Sequence, residues 1–203
     1  MNYHAGKAMR TLAVSLVLFG LALTSRPAAA QWGLTAEIGV ARFGGTSRDT
    51  SGARVAPYRP TTFALRLDRS LGSTRVALAA LYAKTGFAGE RDNVAIVQYD
   101  AGSFWELAPD ASFRLAHFGA GAEARLEAGP VIELWKVDGD TRTRMGGRIA
   151  AALEWPIARE LTGSLRVSEV LTGSVFDAEE VPPGVELLAT RRLAVAIGFR
   201  YGL

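Results

Sequence analysis

The feature that most constrains this chain is a two-residue rhythm. From Trp32 onward the residues Trp32, Leu34, Ala36, Ile38 and Val40 alternate with Gly33, Thr35, Glu37, Gly39 and Ala41. A period of two places successive side chains on opposite faces of an extended strand, whereas a half-buried helix needs a period of 3.6. The rhythm returns seven times. Phe63, Leu65 and Leu67 oppose Ala64, Arg66 and Asp68, and Val76, Leu78, Ala80 and Tyr82 oppose Arg75, Ala77 and Ala79. Trp105, Leu107, Ala111, Phe113 and Leu115 then oppose Glu106, Asp110, Ser112 and Arg114. Ala122, Ala124, Leu126, Ala128, Ile132 and Leu134 oppose Glu123, Arg125, Glu127 and Glu133. Met145, Ile149, Ala151, Leu153 and Trp155 oppose Arg144, Arg148, Ala150 and Glu154, and Leu161, Leu165 and Val167 oppose Thr162, Ser164, Arg166 and Ser168. Finally Leu193, Val195, Ile197, Phe199, Tyr201 and Leu203 oppose Arg192, Ala194, Ala196, Gly198 and Arg200.

Eight strands joined by short turns near residues 71–73, 117–121 and 156–160 predict an all-β, eight-stranded, antiparallel up-and-down barrel over residues 31–203. Longer polar connections are expected at residues 44–60, 85–103 and 173–186, with strand possible at 94–99, and a modest one at Asp138-Gly139-Asp140. Long connections at one end and short ones at the other are characteristic of outer-membrane barrels.

Residues 1–30 read as a separate object. Lys7 and Arg10 precede an apolar run over residues 12–23, and Ala28-Ala29-Ala30 supply small residues before Gln31. This is the pattern of a cleavable secretory signal peptide. The leader holds three basic residues and no acid, so the 23 basic and 20 acidic residues of the chain become balanced after residue 30. The overall charge thus gives no reason to invoke nucleic acid or anionic lipid as a partner. With no cysteine, an exported chain must rely on its own hydrogen bonds and packing.

Alternation does not say which face points inward. A soluble lipocalin-like carrier would enclose the apolar face, and a membrane barrel the polar one. Three features favour the membrane arrangement. The polar face carries small residues (Ala77, Ala79, Ala150, Ala152, Ala194, Ala196 and Gly198), which suit a narrow interior. Its charges nearly cancel: nine arginines (Arg66, Arg75, Arg114, Arg125, Arg144, Arg148, Arg166, Arg192, Arg200) face eight acids (Glu37, Asp68, Glu106, Asp110, Glu123, Glu127, Glu133, Glu154). Buried charges have to be paired, and the arginine fork suits that task, while only Lys84 and Lys136 represent lysine after the leader. Lastly, aromatics gather near strand ends, with Trp32, Phe113, Trp155 and Tyr201 expected towards the periplasm and Phe63, Tyr82 and Trp105 towards the exterior. Two such girdles are expected where lipid meets water.

The final segment, RLAVAIGFRYGL, resembles the terminal strand of outer-membrane barrels, which carries alternating apolar residues, an aromatic third from the end and a terminal Phe. Ile197, Phe199 and Tyr201 match that pattern, and Leu203 stands where Phe is usual. The chain as a whole resembles small eight-stranded families such as the OmpA membrane domain and OmpX. The resemblance implies outer-membrane lipids and the outer-membrane assembly machinery as partners, and a monomer. Pro109 and Pro130 interrupt two strands, and since proline removes a ladder hydrogen bond, a local bulge is expected there.

No catalytic, cofactor or metal constellation stands out. His117, the only histidine after the leader, falls in an expected periplasmic turn. Asp138-Gly139-Asp140 reads as a turn, not a calcium loop, and Asp177 with Glu179-Glu180 reads as a solvated loop. The reading is therefore a non-enzymatic envelope or surface-interaction protein. A narrow ion or small-solute channel, a lipid A-modifying barrel enzyme and a soluble carrier are the alternatives.

Overall fold

The computed structural model describes residues 32–44, 47–48, 54–58, 60–91, 94–137, 139–176 and 186–203. The proposed leader lies outside them. Eight long strands form a closed antiparallel ring: β1 (Trp32–Gly44), β4 (Thr61–Leu71), β5 (Thr74–Arg91), β6 (Val94–Phe118), β7 (Ala122–Val137), β8 (Asp140–Pro156), β9 (Leu161–Thr172) and β11 (Thr190–Gly202). Each strand pairs with its sequence neighbours in the ring, and β11 closes it onto β1 through pairs such as Ile38 with Ile197. Closure satisfies every edge, which is the only way strands can cross a bilayer.

The two faces are inverted relative to a soluble barrel. Ile197 and Phe199 are 49% and 54% exposed, and Leu34, Ile38, Val40, Leu65, Leu78, Leu107, Leu126 and Ile149 are likewise open on the outer surface. Arg66, Asp68, Glu106, Asp110, Arg125, Glu127, Glu133, Arg166 and Arg192 are buried inside. Ala77, Ala79, Ala150, Ala152 and Ala194 are buried among them and leave room for the long charged side chains. A soluble carrier with an apolar interior is not compatible with this arrangement. The chain has the fold of an outer-membrane β-barrel.

Short turns close the end that carries the chain termini of the barrel. Gly72 (φ 69°) lies in the β4–β5 turn, and Gly119 and Gly121 (φ 42° and 101°) lie in the β6–β7 turn. At the opposite end the structure departs from the expected loops. Residues 85–103 are mostly strand: β5 and β6 continue past the ring as a hairpin, paired from Phe87 with Gln98 to Arg91 with Val94. The connection between β1 and β4 is also partly strand. Its β3 (Arg54–Tyr58) adds to the extended β5, and β2 (Ser47–Arg48) joins β3 to β10 (Glu186–Leu187). The extension supplies backbone partners that β4 no longer gives β5 beyond Ala83. Glycines and charges at residues 86–92 concealed it from a pattern reading. The β7–β8 connection is a tight hairpin around Gly139 (φ 92°).

The bulge expected at the prolines is absent. Pairing of β6 with β7 stops after Leu107 with Ile132 and resumes, in the same register, at Ala111 with Ala128. No residue is inserted, and Pro109 falls opposite Pro130. Each proline keeps its partner on the other side, Leu78 and Gly147 respectively. The seam is close: a Cβ on Gly129 would lie 2.0 Å from the Pro109 carbonyl oxygen. The register shift of this pair lies lower, between Arg114 and Ala116.

Two substitutions on neighbouring strands test the seam. Gly129→Ala should destabilise the barrel by about 1–3 kcal/mol through overpacking, whereas Gly147→Ala, with open space around its Cβ, should change stability by no more than about 0.5 kcal/mol. Urea titration of the vesicle-folded protein reads both. The same assay tests the faces: Ile197→Arg, mid-strand on the outer surface, should cost about 2–4 kcal/mol, and Tyr201→Arg, at the edge of the apolar belt, about 0–1 kcal/mol.

Candidate functional site: the barrel interior and its rims

The polar face of the strands builds the interior in layers. In the central layer Arg66 holds Asp110 with a two-pronged contact at 2.7 and 2.5 Å. Arg148 donates to the same carboxylate at 3.1 Å. Arg166 holds Glu127 through Nε at 3.0 Å and Nη2 at 3.1 Å, and it also contacts Glu37. Arg66 and Arg148 approach Glu127 at 3.3 and 3.8 Å. Three arginines thus meet three acids, one residue from each of β1, β4, β6, β7, β8 and β9. Such charge-assisted, multi-donor bonds are the strong kind, and they offset the desolvation of the buried ions.

Nearer the short turns, Arg200 binds Asp68 at 2.8–3.2 Å. Arg75 binds Glu154 at 2.7 and 2.9 Å. Arg125 reaches Ser112 Oγ at 2.8 Å and Glu123 at 3.0 Å. Two residues assigned to the interior lie at its rims instead. The Arg114 side chain is 42% exposed and bonds Glu123 at the rim, because the strand has by then passed the enclosed part of the barrel. Arg144 sits at the opposite rim, partly exposed, and donates to the carbonyls of Ser174 and Val175 in the segment after β9. Alternation assigns a face, and neither residue violates it. It does not assign a height.

Towards the long connections the interior changes character. Glu106 and Glu133 are directly opposite one another on β6 and β7, both buried. Like charges in that position repel, and Arg192 bridges them by contacting Glu106 and lying 3.7 Å from Glu133. Thr172 Oγ1 and Trp135 Nε1 also donate to Glu133, at 3.1 and 3.0 Å. Two residues further along each strand, Phe104 and Trp135 stack at 4.5 Å, with Phe43 edge-on to both at 5.8 and 5.6 Å. The Arg192 guanidinium lies 5.1 Å from the Phe104 ring and 5.9 Å from that of Phe43. Ala41, Ala83, Val137, Val175 and Ala194 complete the cluster, with Leu81 and Phe87 packed on it. Phe104 and Trp135 are 0% exposed. Phe43, Phe104 and Trp135 occupy the same strand parity as the buried charges, which was the signal available for them in the sequence.

The aromatics expected at the belt edges lie on the outer surface. Trp32, Phe113 and Tyr201 sit at the short-turn end, with Trp32 5.7 Å from the Arg69 guanidinium. Trp155 covers Gly163, its cross-strand partner, where a Cβ would be 2.6 Å from the indole. Phe63, Tyr82 and Trp105 form a row across β4, β5 and β6 at the other end, with Tyr82 and Trp105 4.9 Å apart. Ile197, Phe199, Tyr201 and Leu203 all project outward. The Leu203 amide donates to the Trp32 carbonyl at 2.8 Å, and Tyr201 Oη donates to Glu160 at 2.6 Å. His117 is half exposed beside the β6–β7 turn, 3.9 Å from Glu123. Among the described residues no group of three or more acids or histidines is placed to hold a metal. Asp138, Asp177, Glu179 and Glu180 lie outside the described residues.

Replacing Arg192 with Met should destabilise the barrel by about 3–5 kcal/mol, because it strands Glu106 and Glu133 without a cation. Adding Glu106→Gln and Glu133→Gln should recover part of that loss. Urea unfolding of the single and triple variants measures the difference.

No protein-family model matches the chain, and no curated protein matches it in sequence. Solved structures do resemble it in fold. Neisserial surface protein A (NspA) superposes with a TM-score of 0.58 at 10% identity, covering 84% of this chain and 96% of that one. The outer membrane protein OprG from Pseudomonas aeruginosa gives 0.56 at 10% identity, covering 86% and 96%.

Proposed function

We propose that this chain is an integral outer-membrane protein without enzymatic activity, a closed barrel that stabilises the envelope or presents its long connections at the surface. The observation that carries this reading is the filled cross-section of the barrel. The Arg192–Glu106–Glu133 layer lies directly beneath the stack of Phe43, Phe104 and Trp135, all buried. Eight strands enclose a space that side chains can fill, and here they fill it with paired ions and rings. A solute path would need both layers to part. His117, the histidine considered for lipid A chemistry, lies at the short-turn end, away from the long connections.

In this reading residues 1–30 direct export and are removed. The outward side chains of Ile197, Phe199, Tyr201 and Leu203 are presented to the assembly machinery while β11 is still unpaired. The two rows of aromatics mark the lipid–water boundaries. In this reading the protein acts as a monomer, each spanning strand being paired on both sides within its own ring.

Planar bilayers containing the purified protein should show no conductance steps above baseline. Resolved single-channel steps that disappear on heat denaturation would instead establish the channel alternative.

A further inference from the structure

The barrel uses arginine for its buried ion pairs, yet its two lysines after the leader sit together elsewhere. Lys84 of β5 and Lys136 of β7 both pair with the same residue, Ser103 of β6. The three therefore form a row across adjacent strands, and Lys136 pairs onward with Thr141 of β8. Both lysines are exposed, as is Thr141. The row lies one outward position above Tyr82, Trp105 and Leu134, which pair with one another in the same order. Ser103 is ten residues from Phe113 on the same strand, which places the row roughly 25 Å from the opposite aromatic row for a strand tilted by about 40°. That distance matches the height of an apolar belt.

Two strand spacings separate the lysine Cα atoms by about 10 Å. Among the described residues neither ammonium has a carboxylate partner. On the far side of the barrel the outward Arg191 is different: it is paired with Glu169 at 2.6 Å. Lysine is a flexible point charge that reaches along an apolar surface and binds phosphate without demanding one geometry. Two unpaired ammonium groups flanking the Ser103 hydroxyl, with the Thr141 hydroxyl beyond Lys136 and an apolar and aromatic wall beneath, match an amphiphile with an anionic head and several acyl chains.

We propose that Lys84, Ser103, Lys136 and Thr141 form a docking site for a phosphate-bearing lipid of the outer leaflet, with its acyl chains lying along Tyr82, Trp105 and Leu134. The proposal rests on the outer-membrane reading above. Native mass spectrometry of the folded full barrel, released from micelles containing diphosphoryl lipid A, its dephosphorylated form or phosphatidylcholine, tests it. The wild type should retain the diphosphoryl lipid in preference to the other two. The double variant Lys84→Gln, Lys136→Gln should retain it about 30-fold less well, the effect of losing two surface cation contacts, while Arg42→Gln should behave as wild type. Equal retention of all three lipids by the wild type, or unchanged retention by the double variant, overturns the site. Heat-dependent gel mobility and membrane fractionation of the same samples are read alongside. A wild-type protein with no mobility shift that stays in the soluble fraction overturns the membrane reading itself. A double variant that keeps the shift but loses the lipid isolates the site.

Discussion

The pairing of buried charge across the barrel interior is the constraint on which the rest of this structure depends. A barrel in lipid gains little from apolar contacts on its outer wall, because the solvent there is as apolar as the side chains. Its strands are held by the closed backbone ladder and by what fills the interior. Here the filling is ionic, and hydrogen bonds to charged groups are worth about 1.5–3 kcal/mol each when both partners are satisfied. The Arg66, Arg148 and Arg166 cluster with Asp110, Glu127 and Glu37 draws on six of the eight ring strands. Pairs such as Arg200 with Asp68 join residues 132 positions apart, so they form only when the ring is closed. The network therefore rewards closure in a way that local strand pairing does not.

Much of this was legible in the sequence, for a physical reason. A period of two is a strong signal when the two faces meet solvents as different as lipid and a charged interior. The parity that carries Arg66, Asp68, Glu106, Asp110, Arg125, Glu127, Glu133, Arg166 and Arg192 is the one buried in the structure. The level at which the barrel stops enclosing its strands was not legible. Parity continues past the rim, so Arg114 and Arg144 shared the pattern of the interior arginines although the barrel no longer encloses them. The same limit concealed the aromatic cluster. Phe43, Phe104 and Trp135 obey the inward parity, but apolar residues on the polar face read as noise until the ring places them at one level. The long β5–β6 hairpin was missed because its glycines and charges resemble a loop, while its stability comes from β3, a partner distant in sequence.

The two prolines show how the backbone tolerates a rule violation. Each removes a donor, and a closed ring offers no free edge to put it on. Setting Pro109 opposite Pro130 confines both losses to one seam, without a change of register. Gly129 allows the strands to approach there, since any side chain would meet the Pro109 carbonyl. A bulge would have shifted every residue beyond it to the other face. Keeping the register preserves the placement of Glu106 and Glu133 above the seam and of Ser112 and Glu127 below it, and so preserves the charge network.

The interior is also asymmetric from end to end. At the short-turn end the ionic side chains retain contact with solvent: Glu123, Arg75 and Arg200 are 19%, 15% and 11% exposed. At the other end Trp135, Phe104 and Val175 are fully buried. Water that enters from the short-turn side would screen the lower ion pairs and weaken them, whereas the Arg192 layer, buried beside three rings, is less open to such screening. The ring stack thus lowers the polarity around the ion pairs next to it. Those pairs in turn hold Phe43 and Trp135 in place, through the cation–ring contact of Arg192 and the indole bond to Glu133. Ring stack and salt bridge are thus tied to one another through Arg192 and Glu133.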